Sequence, residues 1–171
     1  MKTIIVLGMH CSATSLVSEG LSRCTVDMGC GPGSNNNGFN PWGVWEDMRI
    51  RLLNDDILDR AGGAWDNPPH ENKILAAGKI VEPYIKELLK LRRNEAIKNK
   101  KNLWGWKDPR TILTIRCFLP FLENPNFFSC LREPMEVAKS LNRRNQFPIE
   151  KGLELVNEYN RRMMKFLQEL I

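Results

Sequence analysis

Thr3 to Leu7, TIIVL, is an unbroken run of β-branched and aliphatic residues. A strand of that pattern is covered on both faces, as in a parallel sheet. From Thr14 to Arg23 the spacing becomes helical, with Leu16, Val17 and Leu21 on one side. Met28 to Gly43 reads MGCGPGSNNNGFNPWG, which predicts a loop, and a loop of that length in a compact domain is usually a lid or a disordered segment. A helix predicted over Trp45 to Ala61 places Ile50, Leu53, Ile57 and Ala61 on one face. GGAWDNPPHEN breaks it. A second long helix is predicted from Asn72 to Lys98, with Leu75, Ile80, Val81, Tyr84, Leu88 and Leu91 inward. Pro83 either kinks that helix or marks its true start. Its basic tail, LRRNEAIKNKK, predicts a solvated end.

Asn102 to Trp106, NLWGW, predicts a second strand running into KDPR. Thr111 to Leu122 follows as an apolar helix, and Asn126 to Leu131, NFFSCL, as a third strand meeting REP. Pro134 suits the first turn of a helix that reaches Arg143. The last helix, Glu150 to Leu170, aligns Val156, Tyr159, Met163, Leu167 and Leu170. Strands alternating with helices predict an α/β fold: a short, mainly parallel sheet with helices on both faces, in a three-layer sandwich. Three strands are few for such a sheet, so a fourth is either hidden or absent. The length of 171 residues suits one domain, residues 1–171.

Composition narrows the class of partner. The net charge of +5 favours an anionic partner, among which nucleic acid, a phosphorylated cofactor and a sulfated glycan all fit; a solvated basic surface fits equally. The Arg92 to Lys101 tail reads as a solvated helix end, so no nucleic-acid partner is expected. Cys11, Cys24, Cys30, Cys117 and Cys130 form no CxxC pair, and there are only two histidines, so neither a disulfide framework nor a metal site is expected. Cys117 and Cys130 sit in apolar runs and read as core residues. The pattern suits a reducing compartment, the cytoplasm. The opening apolar run is too short for a secretory leader, and no stretch approaches a membrane span.

The candidate chemistry starts where the first strand ends. Gly8 to Ser15 reads GMHCSATS, a small-residue turn between a strand and a helix. Unpaired backbone N–H groups and the helix dipole make such a turn an anion site, and Ser12, Thr14 and Ser15 add hydroxyl donors. Against the pattern GxxxxGK[ST], Gly8 and Ser15 fit the ends, but Ala13 stands at the second glycine and Thr14 at the lysine. That argues against an ATP or GTP hydrolase. A plain strand-to-helix turn is the alternative. In LREPMEVAKS, Arg132 ends a strand and Ser140 lies eight residues on, a spacing that can bring a guanidinium and a hydroxyl to one phosphate.

Taken in order, GMHCSATS, VWED, WKDPR and LREPMEVAKSL resemble the sulfotransferase family, over Ile4 to about Tyr159. The resemblance implies a P-loop nucleoside triphosphate hydrolase-like α/β sandwich and 3′-phosphoadenosine 5′-phosphosulfate as co-substrate, with no metal. It implies that Gly8, His10, Cys11, Ser12, Ala13, Thr14 and Ser15 hold the 5′-phosphosulfate, and that Arg132 and Ser140 hold the 3′-phosphate. A hydroxyl or amine of a small-molecule or glycan acceptor attacks sulfur while a base takes its proton. Glu46 matches the family's candidate base; a first-turn glutamate placed for the helix dipole is the other reading. Lys107 matches a catalytic lysine, with Asp108 and Arg110 orienting it or holding acceptor. KDPR also suits a helix start, Asp108 capping and Pro109 at the first position. Trp42, Trp45 and Trp65 either line an acceptor cleft or belong to the core. His10 and His70 read as ligand contacts or as ordinary packing and surface residues.

Two departures from the family pattern bear on turnover. The family has lysine or arginine where Cys11 stands, and glycine where Ala13 stands. Losing one transition-state contact of that kind commonly costs about 10²–10³ in rate. The Ala13 methyl either blocks backbone approach or fits if the local φ is negative. Family members often continue into another strand and helix, so a chain of this extent reads as minimal, shortened or non-catalytic. The leading expectation is a sulfotransferase-like enzyme. A catalytically impaired nucleotide- or anion-binding module of the same fold comes second, and a P-loop nucleotide kinase third.

Overall fold

The computed structural model describes residues 1–29 and 45–170; the Asn/Gly loop, with Cys30 and Trp42, lies outside them. In chain order the elements are β1 (Lys2–Gly8), α1 (Thr14–Arg23), β2 (Val26–Asp27), α2 (Met48–Arg60), α3 (Glu71–Ile80), α4 (Glu82–Lys98), β3 (Leu103–Lys107), α5 (Thr111–Phe118), β4 (Pro125–Cys130), α6 (Pro134–Asn145) and α7 (Ile149–Gln168). A 3₁₀ turn, Leu119–Phe121, extends α5. The four strands form one parallel sheet in the order β2-β3-β1-β4. The fourth strand that the sequence left open is β2, a two-residue edge strand with too few residues to show an alternation.

β1 is central and covered on both sides because its alternate residues enter different clusters. Ile5 and Leu7 join the large core with α5 and α7, whereas Ile4 and Val6 meet Val17 and Leu21 of α1. Leu16 does not share that face; it is exposed, since one residue's rotation turns it past the sheet. β4 is the opposite edge, and its Phe127 packs edge-on against Phe166 of α7 at 5.1 Å. Among the described residues no helix is long and apolar enough to cross a membrane.

The long helix expected over Asn72 to Lys98 is two helices. Val81 leaves the helical region (φ −97°, ψ 8°), and Pro83 stands in the first turn of α4. Proline lacks the N–H a continuous helix needs and its ring crowds the carbonyl four residues back. The buried face is therefore Ile74, Ala77 and Gly78, then Val81, Ile85, Leu89, Arg92 and Ala96. Leu75, Ile80, Tyr84 and Leu91 are exposed, and the expected inward set is overturned for them. Gly78 permits the close approach of α3 to α5, for a Cβ there would lie 2.4 Å from Cys117 Sγ. Cys117 is buried and its thiol is pushed up to about 11 by burial, while Cys130 is only half-buried and not the core residue expected.

The basic tail is not uniformly solvated either. Arg92 is 2% exposed and binds Asp27 Oδ1 at 2.9 Å, Asp47 Oδ2 at 2.7 Å and Glu95 Oε2 at 2.6 Å. Arg49 meets Asp47 and Glu95 from the other side, and Asn99 donates to Asp27 Oδ2. This buried charge cluster ties β2, α2 and α4 together.

Candidate functional site

In a parallel sheet every strand ends at the same edge, and that edge collects the candidate residues. The register sets Lys107 of β3 beside Val6 and Cys130 of β4 beside Gly8. The chain therefore leaves β1, β3 and β4 side by side, into GMHCSATS, KDPR and LREP respectively.

Gly8 is tightly enclosed, since a Cβ there would meet Thr14 Cγ2 at 2.5 Å and Cys130 Cβ at 2.9 Å. The loop then turns through two left-handed residues, Cys11 (φ 67°) and Ala13 (φ 61°). Its Ser12 N–H is taken by the Met9 carbonyl at 3.2 Å. α1 has no side-chain cap and no acidic residue in its first turn, so nothing on the helix itself offsets its positive end. Ser12 and Thr14 are buried, Ser15 half-buried and Ala13 exposed.

The left-handed φ of Ala13 rules out the easy fit that a negative φ would have given. A non-glycine residue there costs about 1–2 kcal/mol, more than the roughly 0.5–1 kcal/mol of freedom a glycine adds to the unfolded chain. Ala13→Gly is therefore expected to raise Tm by about 1–3 °C by calorimetry; a lower Tm would count against a left-handed residue at this position.

His10 lies beneath the loop, 7% exposed, with its ring centroid 4.5 Å from that of Trp65. Burial first, then Arg144, Arg110, Lys107 and Arg51, holds its pKa well below the usual histidine value, so the imidazole is neutral. Its Nε2 is buried without a hydrogen-bond partner. Trp65 sits between His10 and Phe147, with the Arg144 guanidinium 5.6 Å from its ring and its carbonyl accepting from Tyr159 Oη at 2.8 Å.

Glu46 precedes α2, which starts three residues later than expected because Trp45 has a left-handed φ of 52° and Asp47 caps it, accepting from Arg49 N at 3.0 Å. A first-turn role in the helix dipole is thereby excluded. Instead Glu46 is buried, its Oε1 accepts from Lys107 Nζ at 3.1 Å, and Arg110 Nη1 stands 4.0 Å from its Oε2. Trp45 is buried beside it, 3% exposed.

KDPR is an Asx turn rather than a simple cap: Asp108 Oδ1 accepts from Arg110 N at 3.2 Å, and α5 starts only at Thr111. Arg110 Nη1 donates to Asp108 Oδ1 at 2.8 Å and its Nε lies 2.6 Å from Asp55 Oδ1. Behind this sits a set that the sequence reading missed. Asn54 Nδ2 donates to Asp108 Oδ2 and Thr111 Oγ1, Thr114 Oγ1 donates to Asn54 Oδ1 at 2.6 Å, and Trp106 Nε1 donates to Thr111 Oγ1. All are buried. The available signal was Asn54 itself, four residues after Ile50 on an otherwise apolar face.

Arg132 reaches back to the loop: its Nη1 donates to the Cys11 carbonyl at 2.9 Å, while its Nη2 is 3.7 Å from Glu136 Oε2. Ser140 is half-buried within α6 and is not hydrogen-bonded to Arg132. His70 is an exposed N-cap of α3, its Nδ1 accepting from Asn72 N. Among the described residues no group of His, Cys, Asp and Glu has the clustering that holds a metal ion. The structure thus brings together the loop, Glu46, Lys107, Asp108, Arg110 and Arg132, and leaves His70 apart. Compared with protein-family models, curated proteins and solved structures, the chain matches none of them.

Proposed function

We propose that this α/β chain is sulfotransferase-like, of the P-loop-type three-layer arrangement, and transfers a sulfuryl group from 3′-phosphoadenosine 5′-phosphosulfate to a hydroxyl or amine acceptor. The observation that carries the reading is the convergence on one sheet edge of an uncapped helix N-terminus, a buried Lys107–Glu46 pair at 3.1 Å and Arg132 bound to the loop. Ligands of open α/β sheets bind outside the carboxyl ends of the strands, where these groups lie.

In the proposed reaction the acceptor oxygen or nitrogen forms a bond to sulfur as the sulfur–oxygen bond to the 5′-phosphate breaks. The electron pair leaves with that phosphate oxygen, and the acceptor proton passes to Glu46. The loop N–H groups and Lys107 stabilise charge on the departing nucleotide. Asp108 and Arg110, locked by Asn54 and Asp55, keep the strand end that presents Lys107 in place.

A second reading, a binding module without turnover, is favoured by one specific feature: Cys11 and Ala13 both take left-handed backbone without supplying a loop cation. Thermal shift separates the readings. Adenosine 3′,5′-bisphosphate at about 100 times Kd is expected to raise Tm by roughly 5–10 °C, and ATP with magnesium to raise it less. No shift with the bisphosphate would overturn the proposal, and a larger shift with ATP would favour a kinase. A bisphosphate shift without radiolabelled sulfate reaching any acceptor would favour the binding module.

A further inference from the structure

The proposed transfer makes no use of the His10 imidazole, yet the fold encloses it. Met9 before it is buried in the main core, whereas Cys11 after it is half-buried with left-handed backbone. The ring lies against Trp65, and its Nε2 is buried without a hydrogen-bond partner. Trp65 is fixed in turn: its carbonyl accepts from Tyr159 Oη, Phe147 stacks on its ring at 5.8 Å, and its neighbour Asp66 pairs with Lys151 of α7 at 3.7 Å. Cations act on the imidazole from four elements: Lys107 at the end of β3, Arg110 in the turn after it, Arg51 on α2 and Arg144 on α6. The carboxylates beside these cations are already bound, Glu46 to Lys107 at 3.1 Å, Asp108 to Arg110 at 2.8 Å and Asp55 to Arg110 at 2.6 Å. A neutral ring fits this place. An imidazolium would bring a desolvated charge among like charges, with no acceptor for the N–H at Nε2. The turn above the ring is held by few bonds, Ser12 N–H to the Met9 carbonyl and Arg132 Nη1 to the Cys11 carbonyl, so it can open without the sheet.

We propose that His10 is an acid-sensitive latch on the strand-end loop: the neutral ring beneath Trp65 holds the turn closed, and a proton taken from solvent turns the ring out and opens the turn at Ser12. The latch does not rest on what the loop binds. In the open form the imidazole is solvated and takes its ordinary value, about 6.5. In the closed form burial first, then Arg144, Arg110, Lys107 and Arg51, keeps the proton off to a much lower pH. The folded value is depressed, so the closed turn is fully favoured above about pH 6.5 and loses ground as pH falls below it.

Amide hydrogen exchange read by NMR on the full chain tests this without any ligand. The Ser12 amide reports the turn, and the amides of Ile5 and Val6 in β1 report global unfolding. Relative to the intrinsic exchange rate, Ser12 is expected to lose protection roughly tenfold between about pH 7.5 and about pH 5.5, the change that linkage to one imidazole gives, while β1 keeps its protection. The chain has two histidines, and His70→Asn, which keeps an α3 cap, leaves the His10 imidazole signals alone in the spectrum. His10→Phe retains a ring against Trp65 and is expected to make Ser12 protection independent of pH over this range. If that variant does not fold, the wild-type and His70→Asn measurements decide alone. Unchanged Ser12 protection in wild type would overturn the latch. So would a loss shared equally by β1, or the same loss in folded His10→Phe.

Discussion

Arg92→Met is expected to cost roughly 3–5 kcal/mol and to lower Tm by on the order of 10 °C, because it removes one partner from a buried charge cluster and leaves the others. The side chain is 2% exposed and lies between Asp27, Asp47 and Glu95. Methionine fills the volume but strands Asp47 with Arg49 alone and Asp27 with Asn99 and the Gly29 N–H. The pH dependence sharpens the test. Glu95 is lowered to about 2, by the hydrogen bond from Arg49 first and that from Arg92 after it. Burial pushes Asp27 up, but hydrogen bonds from Arg92 and Asn99 outweigh it and leave the carboxyl below its usual value. Both folded-state values are depressed, so this stability is complete above the unfolded carboxylate range and is lost as pH falls towards 2. In Arg92→Met the Asp27 carboxyl rises, so acid unfolding is expected to begin at a higher pH than in wild type. Denaturant melts from pH 7 to pH 3 would show it, and unchanged stability across that range would refute the cluster's role.

Lys107→Met is expected to be comparably damaging, for a related reason on the neighbouring strand, where Lys107 pairs with Glu46, the residue before Asp47. Lys107 is 1% exposed, and its loss leaves Glu46 with Arg110 at 4.0 Å as the nearest cation of the site. Breaking a buried pair from one side typically costs about 3–5 kcal/mol, whereas neutralising both partners costs much less. Glu46→Gln/Lys107→Met should therefore be more stable than Lys107→Met alone, with a coupling energy above about 1 kcal/mol in a double-mutant cycle. Additive single effects would mean that the two side chains do not depend on each other. Where the double variant folds, it separates stability from chemistry: on the proposed mechanism it transfers no sulfuryl group at all.

The elements with strong local signals were legible from sequence alone. α1 begins and ends at the expected residues, because the Gly–Ser–Thr turn and the basic end bracket it. β1, β3, β4 and α7 fall within a residue or two. The inward face of α3 and α4 was legible only in part: Val81 and Leu88 fall where expected, but the rest is built partly from Ala77, Gly78 and Ala96, which carry little hydrophobic weight, and from Arg92. Large residues such as Tyr84 and Leu91 drew the stripe off by one position. At the site, the motifs gave the first layer, Glu46, Lys107, Asp108, Arg110 and Arg132, but not the contacts among them. Asn54, Thr111 and Thr114 carry no motif; their importance lies in tertiary hydrogen bonds that no local spacing encodes.

The cluster around Arg92 also has an architectural consequence. Asp27, with Gly29 immediately after it, and Asp47 stand at the two stems from which residues 30–44 depart, and one guanidinium clasps both. The stems are so close that a Cβ on Gly29 would lie 2.3 Å from Asp47 Oδ2. The two stems are thus joined by groups that lie before and after residues 30–44 in the chain. One side chain from α4 thereby sets the spacing between the points at which the chain leaves the scaffold and rejoins it.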